Sequence, residues 1–162
     1  MHIPKVFLLL MISLFTIQLV HAQQKKPAKK NEVTPVQKFK APKLHTALDS
    51  YNDSTTISPD EAARIIGLPL KIYDDKKVEY SISSYQFMYK KAGVTEDEQT
   101  GKLSPTTTMS SERFKVSPLP ELWINIIREQ VKAGEEFYFF DVIAKDAHGR
   151  VMYAPTLKIT IR

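Results

Sequence analysis

The chain has 162 residues, 43% hydrophobic and 25% charged, which is the composition of a globular protein and not of a chain disordered throughout. It has no cysteine, and this excludes disulfides, thiolate nucleophiles, thiolate-bound zinc and an acylated lipoprotein cysteine. Its five glycines are too scattered to form a phosphate-cradling loop, and its net charge of +5 is unevenly distributed.

Residues 1–22 read as a secretory signal peptide. A short basic start with Lys5 precedes an apolar run over residues 6–20, broken by Ser13, Thr16 and Gln18. Val20-His21-Ala22 then offers small residues at the −3 and −1 positions of a cleavage site, so the mature chain is expected to begin at Gln23. Export without cysteine points to a bacterial periplasm or cell surface.

Residues 23–45 read as a basic linker. Seven lysines (Lys25, Lys26, Lys29, Lys30, Lys38, Lys40 and Lys43) face one acid, Glu32, and Pro27, Pro35 and Pro42 are spread among them. Such a segment cannot bury enough apolar surface to offset the entropy of ordering. Its lysines could touch an anionic envelope surface. Without arginine, and with Phe39 as its one aromatic, it lacks the groups that read or stack on nucleic-acid bases, so no nucleic-acid partner is expected. Residues 46–162 hold 15 Lys/Arg against 17 Asp/Glu and are mildly acidic.

Within 46–162 the pattern predicts one β-rich domain. Ser58-Pro59-Asp60-Glu61 is a helix start with a capping serine, a proline at the first helical position and a capping-box glutamate, and Gly67 can end the helix. Residues 68–73 alternate as a short strand. Residues 78–90 form the strongest strand signal. Val78, Tyr80 and Ile82 share one parity and Tyr85, Phe87 and Tyr89 the other, so a bulge or a crossing between sheets is expected near Ser83-Ser84. Residues 93–105 read as a polar loop and 106–116 as a returning strand.

Ser117 is the expected cap of a second helix. Its stripe is Leu119, Leu122, Trp123, Ile126, Ile127 and Val131, and its stop is Gly134. Residues 135–145 and 151–161 form an antiparallel hairpin through a turn at 146–149. Val151, Tyr153, Leu157, Ile159 and Ile161 alternate in one phase along its second arm, and Phe137-Tyr138-Phe139-Phe140 marks 135–145 as a central strand.

The chemistry-bearing residues do not compose an active site. His148 is the one histidine outside the signal and the linker, and it sits in a turn, whereas catalytic histidines are held beside a nucleophile by a third group. Asp141 with Asp74, Asp75 and Asp146 could gather around a cation, but without any calcium-loop spacing, and the expected role of Asp141 is to partner a backbone or basic group. Glu96, Asp97 and Glu98 read as a solvated loop tip, and Trp123 as core. Tyr73, Tyr80, Tyr85, Tyr89, Tyr138 and Tyr153 could supply a sugar-binding face, although core and edge packing fit them better. No cofactor or metal is implied.

Two stretches carry a family resemblance. Val78-Glu79-Tyr80-Ser81-Ile82-Ser83-Ser84-Tyr85-Gln86-Phe87 is similar to a strand, and Val131-Lys132-Ala133-Gly134-Glu135-Glu136-Phe137-Tyr138-Phe139-Phe140-Asp141-Val142-Ile143-Ala144-Lys145 to a turn and strand, of the C-terminal domain of the GldM proteins of Bacteroidota. The resemblance spans residues 68–162. The family's following Gly-Pro-Asp-Gly-like turn is here Asp146-Ala147-His148-Gly149, which keeps only the glycine. The family's membrane helix and preceding periplasmic domains have no counterpart in the reading of this chain. The resemblance implies a non-enzymatic module of gliding motility and type IX secretion that binds cell-envelope proteins, without catalytic residues.

The expectation is therefore a mainly β, Ig-like antiparallel β-sandwich with two short α-helices, over residues 46–162. Its function is expected to be protein binding in the envelope, with carbohydrate or peptidoglycan binding as the alternative. Short loops leave few pockets, so binding is expected at a sheet edge or loop end, with Arg150, His148, Glu96 and Glu98 as the contact residues.

Overall fold

The computed structural model describes residues 39–162. The signal peptide and the linker up to residue 38 lie outside the described residues. The elements are β1 (Leu44–Leu48), β2 (Tyr51–Asn52), β3 (Thr55–Ile57), α1 (Pro59–Ile65), β4 (Leu70–Asp74), β5 (Glu79–Glu96), β6 (Leu103–Phe114), α2 (Glu121–Gln130), β7 (Glu136–Lys145), β8 (Val151–Ala154) and β9 (Leu157–Ile161). The described residues are thus mainly β with two short helices, as expected. The strand path is β2-β1-β4-β5-β7-β9-β3, with β6 added on β5 and β8 on β7, and the whole is nearly closed into a barrel-like sandwich. One pair departs from the antiparallel expectation, because β3 lies parallel to β9. No hairpin joins these two strands, so no turn forces them to run in opposite directions.

The β-rich domain also begins earlier than the linker reading allows. Leu44 and His45, expected in the linker, belong to β1, which pairs with β4 from Leu44↔Asp74 to Leu48↔Leu70. Leu44 and Leu48 are buried, and the Thr46 hydroxyl donates to the Pro155 carbonyl at 2.6 Å, tying β1 to the β8–β9 junction.

The first helix starts as its sequence dictates. Ser58 Oγ accepts from the Glu61 N–H at 3.3 Å and Pro59 opens the helix. The second does not. Ser117 caps nothing; its Oγ accepts the Leu70 N–H at 2.7 Å. Pro118 and Pro120 keep the residues before them out of helical conformation, which delays α2 to Glu121. It ends at Gln130, four residues before the expected Gly134, whose φ of +89° instead turns the chain into β7. The buried face is also rotated from the expected stripe. Ile124 and Ile127 are buried, Trp123 is half-buried, and Leu122 and Ile126 are 70% and 38% exposed.

Three neighbouring strands change phase close to one level. In β5 the register against β7 shifts between Ile82 and Gln86, the expected bulge. In β7 the buried set passes from Phe137 and Phe139 to Val142 and Ala144, across Asp141 at φ +47°. The expected single strand over 151–161 breaks at Pro155. Met152 is buried while Val151 and Tyr153 are exposed, so the one-phase alternation holds only from Leu157 onward. A strand that shifts by one residue turns its apolar set outward. The neighbours keep one common core because they shift together. The Gln86 side chain donates to Asp141 at 2.6 Å beside this level.

The core is aromatic at its centre. Phe87 lies 4.9 Å from Phe139 and meets Trp123 edge-on at 5.4 Å, and Tyr85 packs on Phe114 and Phe139.

Candidate protein-docking surface

The expected loop over 93–105 is a correction of the sequence reading. β5 runs on to Glu96 and β6 begins at Leu103, with twelve consecutive antiparallel pairs from Tyr85↔Phe114 to Glu96↔Leu103. β7 accompanies β5 only as far as Lys90↔Glu136. Beyond that point β5 and β6 continue as a two-stranded arm.

The two faces of the arm differ. One face carries the pairs Ala92↔Thr107, Val94↔Pro105 and Glu96↔Leu103, and Lys90↔Met109 precedes them at the arm's base. Val94 is 70% exposed, Met109 64% and Leu103 62%, so this face is an apolar strip open to solvent. The other face, with Lys91, Gly93, Thr95, Ser104, Thr106 and Thr108, is polar, and there the Lys91 Nζ donates to Gln130 of α2 at 2.6 Å. A two-stranded ribbon is marginally stable alone in water.

The arm closes in a tight turn at residues 97–102. Asp97 Oδ1 accepts from the Gln99 N–H, the Thr100 N–H and the Thr100 hydroxyl, all within 3.1 Å, and Gly101 at φ +67° reverses the chain. These contacts, led by the Thr100 hydroxyl, hold the Asp97 carboxyl below its ordinary range. Asp97 therefore builds the tip, and Glu96 and Glu98 are exposed beside it.

Arg150 and His148 occupy the β7–β8 turn. Asp146 Oδ1 accepts the His148 and Arg150 N–H groups at 2.9 Å each, and Asp146 Oδ2 accepts from Arg150 Nε at 2.6 Å. Arg150 is thus engaged in shaping its own turn, while His148 is exposed. This turn follows Lys145, which pairs with Ser81 near the start of β5, whereas Glu96 ends β5. β5 has 18 residues, a span of at most about 60 Å at ~3.3 Å per residue. The four expected contact residues therefore fall into two separate groups, one at the end of β5 and one in the β7–β8 turn near its start.

The other sequence candidates are also dispersed. His45, expected in the linker, stacks on Tyr73 at 5.5 Å and meets Asp75 at 2.6 Å. Asp74 accepts the Val78 and Lys76 N–H groups and the Tyr80 hydroxyl, which hold its carboxyl below the usual range. Asp141 partners the Gln86 amide instead of a backbone or basic group. Among the described residues no group of three or more His, Asp or Glu could hold a metal ion. The six tyrosines do not form one exposed face. Tyr85 and Tyr89 are buried, Tyr73 carries Lys77 at 4.4 Å, Tyr138 carries Lys158 at 5.2 Å, and Tyr153 is 77% exposed. A cleft of about 310 Å³ between β4, the start of β5 and the β6–α2 connection is lined by Leu70, Ile72, Tyr80 and Ile82 with Lys71, Glu79 and Lys115.

Sequence reading missed the arm itself. Its signal was the alternation of Met88, Ala92 and Val94 against Leu103, Pro105 and Met109, obscured by Gly93, Pro105 and the threonine run. No protein-family model matches the chain, and no curated protein matches it at a significant level.

Proposed function

We propose that this chain is an exported, non-enzymatic protein-binding module of the bacterial cell envelope, and that the β5–β6 arm is its contact surface. The carrying observation is the exposed strip of Val94 and Leu103, continued by Met109 at the arm's base, on a ribbon that runs on past the end of the β5–β7 pairing. Solvent-exposed apolar strips rimmed by polar groups mark protein contact sites. The acidic tip, Glu96 and Glu98, favours a basic rim on the partner. The Arg150–His148 turn is a second, separate contact.

A place in gliding motility or type IX secretion rests on the resemblance to the GldM C-terminal domain over residues 68–162. The dispersal of the tyrosines supports a protein partner over a glycan, because sugar-binding faces need aromatic rings side by side. The experiment is capture from envelope extracts by immobilised chain, with a Val94→Glu/Leu103→Glu variant beside it. Retention of a defined envelope protein by the parent and its loss in the variant are expected. Retention on purified peptidoglycan, equal in both, overturns the reading.

A further inference from the structure

The exposed edge of the arm says more about its partner, and this inference rests on reading the arm as a docking surface. We infer that β6 pairs with β6 of a second copy of this chain, antiparallel about a two-fold axis, so that two sheets merge into one. β6 has β5 on one side through its whole length and no strand on the other among the described residues. At 12 residues it is about twice an average strand of ~5–6. Proteins guard such edges by shortness, bulges, proline or lysine. The edge strands β2 and β3 are guarded by length, at 2 and 3 residues. β6 has an unbroken register, one proline (Pro105) and no charged residue from Leu103 to Ser111.

The same features select a second copy as occupant. A two-fold contact places one patch on itself, so the patch must be self-complementary. An uncharged run meets itself without like-charge repulsion, and reversal places Glu112 and Arg113 opposite the uncharged far end of the partner strand. A two-fold axis normal to the sheet keeps each face on its own side. The Val94–Met109–Leu103 strips of both copies therefore become one continuous apolar patch. On the opposite face α2 rests Trp123 against Glu112 and Phe114. Its exposed Leu122 and Ile126 lie on the flank turned away from α1, since Ile124 and Arg128 face α1. The contact closes as a dimer, because pairing consumes the β6 edge of both copies, and among the described residues the edges left over, β2, β3, β8 and residues 91–96 of β5, are at most half as long.

The test is sedimentation equilibrium of the purified chain across concentration, with Met109→Lys and Thr107→Lys variants. Both positions are exposed, so the variants keep the parent's circular dichroism and melting temperature within a few degrees. The parent is expected to dimerise, with β6 amides gaining hydrogen-exchange protection as concentration rises, and each lysine is expected to weaken dimerisation at least about tenfold. A parent that stays monomeric up to about 100 µM, or a dimer that neither lysine weakens, overturns the inference. A monomeric parent that still captures an envelope protein through the arm overturns this inference alone and leaves the docking reading standing.

Discussion

The Tyr89 hydroxyl donates to the Glu135 carboxylate inside the core, where both residues are buried. Glu135 Oε2 also accepts the Lys132 N–H at 3.2 Å, and the Glu135 carbonyl accepts the Ile161 N–H at 2.9 Å. One buried acid thereby joins β5, the α2–β7 connection and the last strand. Its Oε1 has no partner among the described residues, which leaves the tyrosine contact with more to satisfy.

Tyr89→Phe is expected to destabilise the fold by about 1–3 kcal/mol in urea unfolding, because it strips a donor from a buried carboxylate. Burial first, then Glu135, pushes the Tyr89 hydroxyl well above the tyrosine range, and burial pushes Tyr85 up to about 12. In alkaline difference spectra of the native protein, Tyr89 and Tyr85 are expected to ionise late, above the ordinary tyrosine range. The late amplitude should fall by about half in the Phe variant. An unchanged amplitude contradicts the assignment.

Glu136 gives a pH signature. Lys158 Nζ at 2.7 Å and Lys90 Nζ at 2.9 Å hold its carboxyl down to about 2. A carboxylate depressed in the folded state stabilises it above the unfolded value of ~4.3, and that contribution disappears as pH falls through about 2. The parent should therefore exceed Glu136→Gln in melting temperature near neutral pH. The gap should narrow below about pH 4.3 and vanish near pH 2. A gap independent of pH would mean that charge is not the cause.

Trp123→Ala is expected to cost about 2–3 kcal/mol, below the ~3–5 of a fully buried large aromatic, because the indole is half-buried. The loss comes from its edge contacts with Phe87 and Phe114 and from its Nε1 donation to Glu112 at 3.0 Å. Chemical denaturation beside Phe87→Ala, at a fully buried site, supplies the comparison, and the phenylalanine variant should lose more.

The two serines expected as caps should behave differently. Ser58→Ala removes a helix cap and should cost about 1 kcal/mol. Ser117→Ala leaves the Leu70 N–H without its partner between β4 and the β6–α2 connection, and should cost about 1–2 kcal/mol. Amide exchange resolves them, with Ser58→Ala loosening the first turn of α1 and Ser117→Ala loosening Leu70. Loosening of Glu121 in the Ser117 variant would restore it as a cap.

Local chemistry was enough for much of this fold. Ser58 and Pro59 determine where α1 begins, since a cap and a fixed φ act within one turn. The parity change at Ser83-Ser84 determined the bulge in β5, because side chains alternate with a fixed period of two. Asp146 and Gly149 determined the last turn, through bonds spanning four residues. Tertiary structure decided what depends on neighbours distant in sequence. His45 joined a strand because Tyr73 and Asp75 stand opposite it. The inward face of α2 became Ile124 and Ile127, because α1 packs on one flank and leaves Leu122 and Ile126 uncovered. Residues 91–108 became an arm because β7 stops accompanying β5 at Lys90, and no local pattern encodes where a partner strand ends. The sequence could name Glu96, Glu98, His148 and Arg150 as exposed, since turn chemistry is local. Their separation along β5 was decided by strand length and pairing, which act between residues far apart in the chain.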